Sequence, residues 1–138
     1  MKKTLRLLAI GMAVVMICLT LASCGGPNSD PDKALSALKE NGVTWAVKDS
    51  SIVPAALRLR GVKGVSDVVS GTGKIDDKVA HITIVYFDDA KAAKEAWEAV
   101  EKYADEKKDE EKAESTWVCK RSGKMIYFGT EDAVKAAK

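Results

Sequence analysis

The chain has 138 residues, with 22 Lys or Arg against 20 Asp or Glu, a formal net charge of +2 and a single histidine. A body of this length holds one domain and excludes two. The near-neutral balance excludes the basic stripe by which nucleic acid is bound.

Met1-Lys2-Lys3-Thr4-Leu5-Arg6 is a basic start, and Leu7 to Thr20 is an uncharged run of 14 residues. That length suits the apolar region of an export signal, about 7 to 15 residues, and falls short of the roughly 20 that a spanning helix needs. An uncleaved anchor helix is the alternative, because the apolar tract can be extended to Ala22. The run gives out at Leu21-Ala22-Ser23-Cys24, and small residues ahead of a cut site mark a segment that is read and removed. With its terminal cysteine this stretch resembles the lipobox of bacterial lipoproteins.

The resemblance implies that the Cys24 thiol is alkylated by a diacylglycerol, that a peptidase then cuts before it, and that Cys24 becomes the first residue of the mature chain. Residues 1–23 are then the signal peptide, 24–29 the lipidated cysteine and a Gly/Pro/polar tether, and 30–138 a single domain. Each buried methylene contributes about 0.8 kcal/mol, so two acyl chains anchor stably where one is marginal. The expected partner is a membrane, held through the lipid on Cys24, with the domain on its extracytoplasmic side. Gly25 stands where the family's inner-membrane retention signal has Asp, which fits sorting to an outer membrane or a host with one membrane. Beyond Cys24 the body resembles, in general style, the small uncharacterised lipoproteins of bacteria.

Removal of the signal takes Lys2, Lys3 and Arg6 with it, leaving 19 basic against 20 acidic residues, a charge of −1. Cys18 leaves too, and Cys24 carries lipid, so Cys119 is the one thiol of the body. Its place in Trp117-Val118-Cys119 predicts a small hydrophobe in a strand rather than a reactive site.

Along the body, Asp30 reads as the N-cap of a helix from Pro31 to Glu40 that buries Ala34, Leu35 and Leu38 and stops at Asn41-Gly42. Val43, Trp45 and Val47 alternate with Thr44, Ala46 and Lys48, the period of a half-buried strand. Pro54 suits either a first helical turn or an edge strand; a helix over 51–60, ended by Gly61, is the expectation. Val65 to Ser70 and Val79 to Phe87 read as a hairpin across a turn at 71–77. Ile82, Ile84 and Tyr86 fall on one face of its second strand, and Thr83, Val85 and Phe87 on the other.

Asp88-Asp89 opens a long helix with a stripe of Ala93, Ala96, Trp97, Val100, Tyr103 and Ala104. Asp105 to Glu114 is charged enough to be a solvated extension or frayed loop. Strands at Thr116 to Lys120 and Lys124 to Gly129 flank a turn at Arg121-Ser122-Gly123, and Thr130 reads as the N-cap of a last short helix. The fold class predicted is α+β: an antiparallel sheet with helices on one face, in the β-α-β-β-α-β order of a ferredoxin-like fold. An N-terminal helix and a C-terminal strand and helix are added to it.

Sites of chemistry are sparse. His81 has no second convergent partner for a triad or a metal, so no cofactor, metal or catalytic residue is expected. Gly71-Thr72-Gly73-Lys74 lacks the Gly and Ser/Thr that complete a phosphate loop, with Val68 and Ile75 in their places, and reads as a hairpin turn. Asp76-Asp77 and Asp88-Asp89 lack a calcium-loop pattern. Trp45, Trp97 and Trp117 fall on apolar phases and are expected in the core. Lys120, Arg121 and Lys124 gather about a tight turn beside Tyr127 and Phe128, where they are either ordinary solvated charges or a contact for phosphate headgroups or an acidic wall polymer. The function expected is binding or envelope assembly with an envelope protein or cell-wall polymer, without catalysis. The alternatives are an envelope enzyme or inhibitor and a small-ligand carrier with an apolar cavity between sheet and long helix.

Overall fold

The computed structural model describes residues 26–111 and 116–138; the lipobox residues Leu21, Ala22 and Ser23, and Cys24 itself, lie outside them. The elements in order are α1 (Pro31–Glu40), β1 (Val47–Lys48), α2 (Ile52–Leu59), β2 (Val65–Ile75), β3 (Lys78–Phe87), α3 (Ala90–Glu111), β4 (Trp117–Ser122), β5 (Met125–Thr130) and α4 (Glu131–Ala136). The class is α+β, with one five-stranded sheet in the order β1-β2-β3-β5-β4 and every neighbouring pair antiparallel.

That order differs from the ferredoxin-like one, in which the first and third strands are neighbours. Local closure decides it. Ile75 pairs with Lys78 across a turn at Asp76 and Asp77, and Ser122 with Met125 across Gly123 and Lys124, so both hairpins close over two residues at little loop-closure cost. The β2–β3 hairpin then offers two free edges. β1, only two residues long, takes β2, and β5 takes β3. A split β-α-β unit is still present, but it consists of β3, α3 and β4, with β5 inserted between two parallel strands.

Helices cover both faces of the sheet, a correction to the one-sided expectation. Ile82, Ile84 and Tyr86 pack with Met125, Tyr127 and with Ala34, Leu38, Ala133 and Val134 from α1 and α4. Val85 and Phe87 pack with Ile126, Phe128 and with Leu57, Ala93, Val100 and Tyr103 from α2 and α3. Apolar residues on both phases of β3 and β5 require cover on both sides, because a one-sided sheet alternates apolar with polar.

The hairpin turn is also shorter than 71–77. Asp76 and Asp77 form it alone, at φ of +52° and +64°, the left-handed pair that a two-residue hairpin demands. Gly71 and Gly73 instead sit inside β2, where a side chain on Gly73 would strike the carbonyl of Gly42 and one on Gly71 would strike Ala46. They admit the 42–46 segment to close contact with the strand.

That segment corrects the strand expected at 43–48. Val43 and Ala46 are buried, whereas Trp45 is 76% exposed and Val47 53% exposed. Only Val47 and Lys48 pair, so the burial spacing is three, as in a turn. α3 runs unbroken to Glu111 over 22 residues, so of the two expectations for 105–114 the solvated extension holds over 105–111, as helix, and 112–114 lie outside the described residues. Charged residues three and four apart support a solvated helix as readily as a loop; Lys107 and Glu110 pair at 3.0 Å.

Candidate binding grooves and the docked amino-terminal segment

The stretch predicted to be a tether is packed onto the sheet from its third residue. Gly26 lies against the Tyr127 ring so closely that a Cβ there would fall 2.6 Å from three of its atoms. Pro27 is buried. The Asn28 N–H donates to the Ala137 carbonyl at 2.8 Å, and the Tyr86 hydroxyl donates to the Asn28 carbonyl at 2.7 Å. Burial, then the carboxylates of Asp30 and Asp67, push the Tyr86 hydroxyl well above its ordinary range and keep it a donor. Asn28 Oδ1 accepts from the Asp30 N–H at 2.9 Å, and Asp30 caps α1 as predicted, accepting from Asp32 and Lys33.

Two open grooves lie on the face covered by α2 and α3. The first, of about 680 Å³, runs between the front half of α3 and β4, with Lys94, Glu95, Trp97, Cys119, Lys120 and Arg121 among its walls. Trp97 is half-buried here, part core and part groove wall, so its expected burial is met only in part. Trp117 is likewise half-buried, against Phe128, and Trp45 faces water. The Cys119 thiol is half-buried and free. Burial, followed by the charges of Glu101 and Asp105, pushes it up to about 11; a protonated thiol at neutral pH is a poor nucleophile.

The second groove, of about 530 Å³, separates α2 from the start of β2, with Asp49, Pro54, Arg58 and Asp67 among its walls. Asp49 is occupied locally, its carboxylate accepting from the N–H groups of Ser51, Ile52 and Val53 at 2.9 Å. This cap starts α2, and Pro54 stands in its first turn.

His81 lies on β3, and its Nε2 is 2.8 Å from Glu111 Oε2 at the end of α3. Its backbone is held by the Thr130 hydroxyl, which accepts from the His81 N–H and donates to the His81 carbonyl. Thr130 occupies the N-cap position of α4 as expected, but its hydroxyl is engaged with the His81 backbone and makes no side-chain cap bond. Among the described residues no three His, Cys, Asp or Glu converge to hold a metal ion. Among the same residues no helix is long and apolar enough to cross a membrane.

The basic hairpin divides by face. Lys120 pairs with Tyr127 and Arg121 with Ile126, and directly opposed residues point the same way. Lys120 therefore shares the face on which Gly26 rests, while Arg121 turns into the α3 groove. Lys124 sits in the turn, whose carbonyl accepts from the Phe87 N–H at 2.7 Å. The approach of Gly26 to Tyr127 had no signal in the sequence, because nothing local to a Gly-Gly-Pro stretch distinguishes a docked segment from a free one. No family model, curated protein or solved structure matches the chain.

Proposed function

We propose that the chain is a lipid-anchored extracytoplasmic domain that works by binding rather than by catalysis. The observation that carries this reading is Leu21-Ala22-Ser23-Cys24 at the end of an uncharged 14-residue run behind a basic start. An export signal accounts for that order and a core element does not. Gly26, two residues after Cys24, lies against Tyr127, which supports a folded domain starting close behind the lipidated position.

Binding is favoured over chemistry by what the reactive groups are doing. The His81 Nε2 is engaged by Glu111, and the Cys119 thiol is kept protonated by burial. The α3–β4 groove favours one second reading, a carrier of a small amphiphilic ligand, because the half-buried Trp97 is flanked there by Lys94 and Glu95.

Metabolic labelling with a fatty acid tests the anchor. The wild-type chain takes up label and lacks residues 1–23 by mass; Cys24→Ala takes up none and keeps its signal or is released. Label on the Cys24→Ala chain overturns the reading. The carrier alternative is checked by titrating amphiphiles against wild-type and Trp97→Phe chains, with an emission change confined to the wild type as its signature.

A further inference from the structure

Two peptide links separate Gly26 from Cys24, a reach of about 7 Å at full extension. Gly26 itself is pinned: it lies on Tyr127, and Asn28 two residues on is bonded to Ala137 and Tyr86. Whatever holds Cys24 is therefore held close to the face of β5 and β4 on which Tyr127 and Lys120 stand.

Lys120 and Lys124 are exposed, and neither makes an ion pair among the described residues. The two acids whose charge is felt at Tyr86 are already engaged, Asp30 capping α1 and Asp67 lying 3.7 Å from Lys48. We propose that the β4–β5 hairpin, with Lys120 on the Gly26 face and Lys124 at the turn, lies against an anionic phospholipid surface and fixes the orientation of the domain on its membrane. The proposal rests on the reading of Cys24 as an acylated residue. A link of this length keeps the Gly26 face near the headgroups, where surface charge decays over a Debye length of about 8 Å at physiological salt. Each lysine there favours the contacting orientation on the order of fivefold. The far edge of the sheet, with exposed Trp45 and Ser50 around β1, stays in water.

The test uses the acylated full-length product, reconstituted on vesicles and carrying Cys119→Ala so that one introduced thiol takes a nitroxide. Ser122→Cys reports the hairpin, since Ser122 is exposed and shares the face of Lys120, and Ser50→Cys reports the opposite edge. On vesicles containing phosphatidylglycerol, position 122 is expected to lose access to a soluble nickel relaxer while position 50 keeps it. The pair Lys120→Glu and Lys124→Glu is expected to shift that equilibrium toward free access by more than about 25-fold. Protection equal on vesicles of phosphatidylcholine alone, or equal access at positions 122 and 50 in a chain that still carries its acyl groups, overturns the proposal and leaves the anchor standing. A chain that carries no acyl group and does not float with vesicles overturns both.

Discussion

Phe128 is 1% exposed and lies edge-on to Tyr103, ring centroids 5.8 Å apart, with Trp117 on its other side at 6.3 Å. Truncation to Ala leaves a cavity between α3 and the sheet and is expected to cost about 3 to 5 kcal/mol, read as a lowered denaturation midpoint. Trp45→Ala at the exposed position changes stability by less than about 0.5 kcal/mol in the same assay. Cys119 supplies a pH prediction. Its folded value near 11 against 9.0 for a free thiol lowers the thiolate fraction at about pH 8 roughly a hundredfold, so alkylation slows by that factor until the chain is unfolded. The folded state holds the proton longer than the unfolded one, so this contribution is whole below pH 9 and is lost as pH rises toward 11. Denaturation midpoints measured across that window are expected to fall for wild type relative to Cys119→Val, which has no thiol to ionise. At this scale the sequence was legible where alternation ran long, as along β3, and illegible at Trp45. There the alternation of 43–47 is matched by a turn that buries Val43 and Ala46 and leaves the indole outside.

Asp77 closes the β2–β3 hairpin at φ +64°. Left-handed backbone costs an ordinary residue roughly 1 to 2 kcal/mol, while glycine adds about 0.5 to 1 kcal/mol of unfolded-chain entropy. Asp77→Gly is thus expected to stabilise by about 0.5 kcal/mol, seen as a raised thermal midpoint. The docked segment makes a second prediction for an element. Tyr86→Phe removes the donor to the Asn28 carbonyl and is expected to cost about 1 kcal/mol. Faster amide exchange at Asn28, whose N–H is bonded to Ala137, accompanies it. Both long helices, the second helix with its Pro54 and all strands from β2 onward were readable from periodicity, caps and glycines. The bounds of the turns and of α3 were not, because a run of alternating charge is equally compatible with helix and loop.

For the whole molecule, element order was legible and strand order was not. Periodicity reports which side of an element is apolar but says nothing of which strand is its neighbour, and the two-sided burial of β3 had to be read from both of its phases together. The arrangement that resulted places residues 125–130 between β3 and β4 and the Tyr127 ring beneath Gly26. β5 is thus a keystone: shortening the chain ahead of Met125 strips β3 and β4 of their shared neighbour and unseats Gly26 in the same stroke. Until residues 125–130 fold into place, the β3 edge they cover and the whole of β4 have no partner strand, so the sheet closes only when that one segment arrives.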